Sequence, residues 1–120
     1  MNISRILYVA DSHTMGEPAR VILSGVPRLR GKDLPEKQQY FLDHYDYLRK
    51  AALFEPRGHN DMFGALLVPP TLPEADIGAI FLNRTGVENM CGHATIACAT
   101  IAVELGLVEK VEPETIVNIE

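Results

Sequence analysis

The stretch that decides the fold of this chain is NMCGHATIACATIAV, residues 89–103. Residues 94–103 carry no charge, so a helix formed there has no polar face for solvent and should be buried on all sides. Gly106 follows as a C-terminal cap, because glycine readily adopts the left-handed conformation that ends many helices. We therefore predict a central apolar helix that begins near Cys91.

A cysteine at the start of this helix indicates chemistry. The first backbone N–H groups of a helix have no partners within it and carry partial positive charge, which favours a thiolate. Burial opposes this, because desolvation penalises charge, so the site needs further donors such as the Gly92 and His93 amides. Two alternatives stay open: Cys91 is a small core residue, or it shares a metal with His93. No second pair with metal-ligand spacing follows, however.

Length and composition indicate one globular domain. The chain has 120 residues, 47% of them hydrophobic, which is enough for a core. Its 11 Lys and Arg are interspersed with 16 Asp and Glu, and no basic stripe follows a phosphate backbone, so nucleic acid is not an expected partner. The uncharged run is too short to span a bilayer and the N-terminus does not resemble a signal peptide, so we expect no membrane partner and a cytoplasmic location. Cys91 and Cys98 would lie about 10 Å apart along one helix, too far for a disulfide.

Apolar runs and turn residues place further elements around this centre. The predicted order is a strand over residues 3–10, a polar loop over 11–18, a strand over 21–23, a helix over 33–52, strands over 62–68 and 77–82, the helix after His93, and a strand-like run over 115–120. The first helix starts at Asp33, a typical capping residue, with Pro35 and Glu36 in its first turn. This order predicts the α/β (α+β) class.

Three motifs resemble those of the proline racemase family. The most specific is Met90-Cys91-Gly92-His93; EPRGHNDMFG at 55–64 is nearly as specific, and the third is residues 14–21. The likeness runs through almost all of this chain but only the N-terminal part of the family's length. It implies a lobe like those of diaminopimelate epimerase, a curved mixed sheet wrapped around the central apolar helix. Residues 1–120 would then be the N-terminal lobe of a two-lobe enzyme whose second lobe is absent from this chain.

The resemblance also implies a reaction without cofactor or metal. Two thiols flank the substrate Cα; one removes its proton and the other delivers one to the opposite face. Cys91 matches the first thiol and is the expected catalytic residue. Gly92, His93 and Phe63 are the expected substrate-binding residues: Gly92 lets the carboxylate approach the backbone, His93 lies near the ring nitrogen, and Phe63 walls an apolar pocket. The small-molecule substrate would be proline or a hydroxyproline.

One departure from the family pattern leaves the reaction open. Ala94 follows the histidine, where glycine is common in racemases and 4-hydroxyproline epimerases, and alanine also occurs in trans-3-hydroxy-L-proline dehydratases. The second-lobe residue that separates these reactions lies beyond Glu120. A third interpretation is an inactive single lobe that only binds ligand, because one lobe alone leaves the cleft open to water. We expect such a lobe to self-associate through that cleft, as in a homodimer.

Overall fold

Five strands form one mixed sheet, and a helix packs on each of its faces. The computed structural model describes residues 2–120. In chain order the elements are β1 (Tyr8–Thr14), β2 (Glu17–Ser24), α1 (Leu34–Leu53), β3 (Phe63–Val68), β4 (Gly78–Leu82), β5 (Val87–Glu88) and α2 (Gly92–Glu104). The strands lie in the order β1-β2-β3-β4-β5, with β2 and β3 parallel and the other neighbours antiparallel. The predicted α/β class is confirmed.

The two faces of the sheet carry separate hydrophobic clusters, because side chains alternate along a strand. Val21 on β2 and Ala65 on β3 belong to the cluster that contains the buried residues of α2. Their neighbours Ile22 and Leu66 belong to a second cluster, formed with α1. The two helices therefore lie on opposite faces, and the Cys91 end of α2 belongs to the face that α1 does not cover.

The predicted start of α1 is confirmed. Asp33 has an extended backbone, and its Oδ1 accepts a 3.0 Å hydrogen bond from the Glu36 N–H, as a capping side chain does. Pro35 lies in the first turn, where the missing N–H would have had no helical partner. Since α1 connects β2 to β3, it provides the crossover that a parallel pair requires.

The predicted loop over residues 11–18 is wrong. β1 and β2 continue through it as an antiparallel hairpin, and only Met15 and Gly16 form the turn, both with positive φ, 52° and 90°. These polar residues can belong to strands because β1 lies at the edge of the sheet. There, the side chains of β1 pair with those of β2 across the ladder. Arg20 lies opposite Asp11 and donates to both carboxylate oxygens, at 2.8 and 3.0 Å. Residues 3–7, predicted as part of the first strand, precede β1.

Helix α2 begins where the sequence predicts, but it is not buried on all sides. Cys91 is its N-cap, and Gly106, with φ of 75°, follows the last turn as predicted. Cys98 on the sheet side is fully buried, whereas Ile96 is 54% exposed and Thr100 is also exposed. The sheet of this chain covers one side of the helix only. The absence of charge in residues 94–103 thus predicted that the helix is buried, but not that one of its sides is exposed in this chain.

The strand-like run over residues 115–120 forms one bridge instead of a strand. Ile119 pairs in parallel with Ile77, immediately before β4. The Glu120 N–H donates to the Ile77 carbonyl at 3.0 Å, and the Ala79 N–H donates to the Glu120 carbonyl at 3.1 Å. The segment therefore lies along β4, next to the start of that strand.

Candidate active site

The N-terminus of α2 places a thiol beside a set of unused backbone donors. Cys91, the N-cap residue, is 9% exposed. The first helical hydrogen bond runs from the Thr95 N–H to the Cys91 carbonyl, at 2.9 Å. Within residues 2–120, the N–H groups of Gly92, His93 and Ala94 have no acceptor, as expected for the first turn of a helix. Their partial positive charge makes this helix end suitable for an anion.

Both ring nitrogens of His93 have a partner. Nδ1 lies 3.5 Å from Cys91 Sγ, and Nε2 lies 3.2 Å from the main-chain carbonyl of Pro18. The Phe63 ring meets the imidazole edge to face, with centroids 4.9 Å apart and planes at 80°. The Thr14 hydroxyl donates to the His93 carbonyl at 3.3 Å. The imidazole is therefore held by α2, by the β1–β2 hairpin and by the first residue of β3.

The four residues predicted for the site come together around this helix end. Cys91, His93 and Phe63 form a continuous series of contacts. Gly92 is exposed, and a Cβ built on it would meet nothing within 4 Å. The backbone at Gly92 is therefore open to a molecule from outside.

Two residues of this arrangement were absent from the predicted set. Thr14 and Pro18 both lie within the motif over residues 14–21, and that motif was the only sequence signal for them. His13 stabilises the hairpin turn, because its Nδ1 accepts a 3.1 Å hydrogen bond from the Gly16 N–H.

The polar motif that precedes β3 mostly holds its loop in place against α1 and β2. The Arg57 Nε donates to the Ala51 carbonyl at 2.8 Å, and the Asp61 N–H donates to His59 Nδ1 at 3.1 Å. Arg20 Nη1 donates to the Arg57 carbonyl at 2.7 Å, which connects the loop to β2. Of this motif, Phe63 is the residue that contacts His93.

The second cysteine has the properties of a core residue. Cys98 is fully buried. Burial, with a smaller contribution from Cys91, raises the pKa of its thiol from 9.0 to about 12. A thiol with that pKa is neutral near pH 7, so Cys98 contributes packing.

Ala94, the departure from the family pattern, does not face the open side of the helix. Its side chain is fully buried in the cluster between α2 and the sheet. The methyl group therefore acts on the packing beneath Cys91 and has no direct contact with solvent.

The backbone at Gly92 is exposed in this chain, whereas the Cys91 side chain is largely buried. Cavities of about 1050 and 640 Å³ occur elsewhere, and neither is lined by Cys91 or His93. Residues 2–120 contain no group of three or more His, Cys, Asp or Glu placed to hold a metal ion. In the same range, neither helix is both long and apolar enough to cross a bilayer.

Comparison with known proteins identifies the family. The proline racemase family model matches residues 9–120. The chain is 48% identical over 120 residues to the proline racemase of Acetoanaerobium sticklandii, covering 100% of this chain and 36% of that protein. It is 49% identical over 116 residues to a trans-L-3-hydroxyproline dehydratase of Xenopus tropicalis, covering 96% of this chain and 33% of that protein.

A solved structure gives the same result. The chain matches a hydroxyproline epimerase from Agrobacterium vitis, with bound trans-4-OH-L-proline, at a TM-score of 0.90 and 30% identity; the match covers 100% of this chain and 36% of that one. The chain thus spans about a third of the length of the relatives it matches. With the family model covering nearly all of the sequence, this chain belongs to the proline racemase family.

Proposed function

We propose that this chain provides one half of the active site of a cofactor-independent amino-acid isomerase, with Cys91 as the residue that takes the Cα proton of proline or a hydroxyproline. The observation that carries the proposal is the Cys91 thiol at the N-cap of α2, beside N–H groups that have no acceptor in residues 2–120. Relatives named proline racemase and 4-hydroxyproline 2-epimerase, 48% and 44% identical, support this substrate class.

The chemistry requires both features at one place. When the thiolate removes the Cα proton, the C–H bond breaks, an S–H bond forms, and negative charge moves onto the substrate carboxylate. Preorganised N–H groups at a helix N-terminus stabilise that charge as it develops. One helix end therefore provides the base and the stabilising donors.

We assign substrate binding to Gly92, His93 and Phe63. Gly92 has free space where a Cβ would be, so a carboxylate has room to approach the backbone. The main-chain N–H of His93 is a second donor, while its ring is held by protein partners. The Phe63 ring, next to that imidazole, would provide the apolar wall for a pyrrolidine ring. An interaction of His93 with the ring nitrogen of the substrate stays a prediction.

The second proton has to come from the opposite face of Cα, and we assign it to the part of the relatives that this chain does not match. Residues 1–120 would then be the N-terminal lobe of a two-lobe enzyme. The exposed Gly92 next to the largely buried Cys91 and the exposed Ile96 on α2 are consistent with a missing covering element. We expect the isolated chain to be inactive and to self-associate. A cytoplasmic location stays a prediction.

A chimera tests the proposal. This chain replaces the matching third of the Acetoanaerobium sticklandii proline racemase, and the chimera is incubated with L-proline or trans-4-hydroxy-L-proline in deuterated water. We expect deuterium at Cα together with inversion of configuration. Cys91→Ala should abolish exchange, and Cys98→Ala, the matched control, should keep it. A folded chimera that exchanges no Cα proton in either substrate, or equal exchange in both variants, would contradict the proposal.

A dehydratase is the second candidate, favoured by the dehydratase relative at 49% identity. Dehydration needs one base and a protonated leaving hydroxyl instead of two opposed bases. The test uses a second chimera, in which this chain replaces the matching part of the Xenopus tropicalis dehydratase. This chimera is incubated with trans-3-hydroxy-L-proline. A product lighter by one water, lost in Cys91→Ala, would select this activity.

A further inference from the structure

We propose that the β1–β2 hairpin fixes the tautomer of His93, so that Nδ1 of this residue accepts the thiol proton of Cys91. The pair would prepare the thiolate that the proposed isomerase uses, so its catalytic meaning rests on that function. The hydrogen-bond pattern itself does not depend on it, and it is testable on the 120-residue chain.

The argument begins with the Pro18 carbonyl. A carbonyl oxygen only accepts hydrogen bonds, so the 3.2 Å contact requires the hydrogen to be on His93 Nε2. In a neutral imidazole, the other nitrogen then carries a lone pair. That nitrogen, Nδ1, lies 3.5 Å from Cys91 Sγ, within reach of an S–H donor. One backbone oxygen thus determines which nitrogen faces the thiol.

Two further contacts keep the ring in this orientation. The edge-to-face contact with Phe63 restricts rotation of the imidazole. Thr14 donates to the His93 carbonyl, which fixes the first turn of α2 relative to β1. Thr14 pairs with Glu17 in the ladder, and Pro18 is the next residue, so both contacts come from the same end of one hairpin. Thr14 and Pro18 are positioning residues, and His93 contacts the reacting sulfur.

The proton transfer balances within the pair. The S–H bond of Cys91 breaks, an N–H bond forms at Nδ1, and Nε2 keeps its hydrogen bond to Pro18. The products are a thiolate and an imidazolium, so the net charge of the pair is unchanged. The imidazolium lies beside the thiolate and adds to the favourable field of the helix end.

Other ionisable groups near this pair are few. On the elements packed against α2, the hairpin carries Tyr8, His13 and Glu17, and the Asp11–Arg20 ion pair, while β3 carries none. His13 Nδ1 is occupied by the Gly16 N–H. On α2 itself, Cys98 is a neutral buried thiol and Glu104 lies at the opposite end of the helix. Within residues 2–120, His93 is the histidine whose ring nitrogen lies within hydrogen-bonding distance of Cys91 Sγ.

Nitrogen NMR tests the tautomer directly. The chain is labelled with 15N, and its four histidine side chains are resolved in long-range 1H–15N spectra at neutral pH. His93→Gln assigns the signal. We expect either the Nε2–H tautomer of a neutral ring or a ring protonated at both nitrogens in contact with a thiolate. A neutral Nδ1–H ring, or an equal mixture of the two tautomers, would overturn the proposal.

Alkylation of Cys91 by iodoacetamide provides the second measurement. In the Cys98→Ala background only one thiol remains, and His93→Gln removes the proton acceptor while keeping a polar side chain. We expect alkylation at neutral pH to become about tenfold slower in that variant, because the thiolate is the reactive form. Circular dichroism confirms that the variant is folded. An unchanged rate in the folded variant would overturn the role of His93, even where Cα exchange by the chimera upholds the proposed function.

Discussion

Replacing Gly92 by alanine separates the stability of the fold from the proposed binding of a carboxylate. A Cβ built on Gly92 meets nothing within 4 Å, and its φ lies outside the left-handed region. Alanine is favoured over glycine within a helix by up to about 1 kcal/mol, so the variant should be unchanged or more stable by up to that amount. In melting temperature this is a gain of at most a few degrees, roughly 4 °C for a chain of this size.

Gly64→Ala is the matched comparison. Its Cβ would lie 2.9 Å from Leu53 Cδ2 and 3.0 Å from the Arg20 carbonyl. Contacts this short force the neighbours to move, which typically costs about 1–3 kcal/mol in a packed core. Urea unfolding followed by circular dichroism should therefore rank Gly92→Ala at or above the parent chain and Gly64→Ala below it.

The effect of Gly92→Ala on activity is measured in the chimera with the Acetoanaerobium sticklandii racemase. If the substrate carboxylate approaches the N–H groups at the start of α2, the added methyl group occupies part of that approach. We expect kcat/KM for Cα exchange to fall at least about tenfold, or roughly 1.4 kcal/mol of transition-state stabilisation. Exchange at the parent rate would refute the carboxylate site, and a loss of more than about 1 kcal/mol of folding stability would refute the open space at Gly92.

Three further predictions concern single contacts. Asp33→Ala removes the cap of α1 and should lower the free energy of unfolding by about 0.5–2 kcal/mol in urea titrations, whereas Asp33→Ser should recover most of it. The hydrogen bond from Arg49 lowers the pKa of Asp46 below 3.8, so this carboxylate stabilises the fold above that pH and the effect is lost as the pH falls further. In Asp46→Asn, the free energy of unfolding should therefore fall less steeply as the pH is lowered into the acid range. An unchanged dependence on pH would disprove the assignment. Thr14→Val removes the hydroxyl that donates to the His93 carbonyl and should slow alkylation of Cys91, while Thr14→Ser should retain the parent rate; equal rates in the two variants would exclude a positioning role.

The elements that the sequence predicted well are those whose signals are local. Asp33 and its first turn specify the start of α1, and the uncharged run with Gly106 specifies α2. The EPRGHNDMFG motif at 55–64 led to Phe63, which does contact His93. Short-range patterns and motif matches were sufficient for these features.

The errors concern features that depend on distant partners. The polar residues over 11–18 look like a loop until β1 pairs with β2, where Asp11 and Arg20 face each other. Burial of α2 depends on how far the sheet extends around it, which residues 94–103 do not encode. The contact of His93 with Pro18 joins residues 75 positions apart through a backbone oxygen, for which no side-chain pattern exists.

The parallel pairing of β2 with β3 has a kinetic consequence. Ala19 aligns with Phe63, so the register forms only after α1 and the following loop have been spanned. Non-local pairings of this kind form late during folding, because their loop-closure entropy is lost before the contacts are gained. During refolding, the surroundings of the Cys91 sulfur should therefore become native only after helical ellipticity has returned. The reactivity of this thiol would then report the last step of folding.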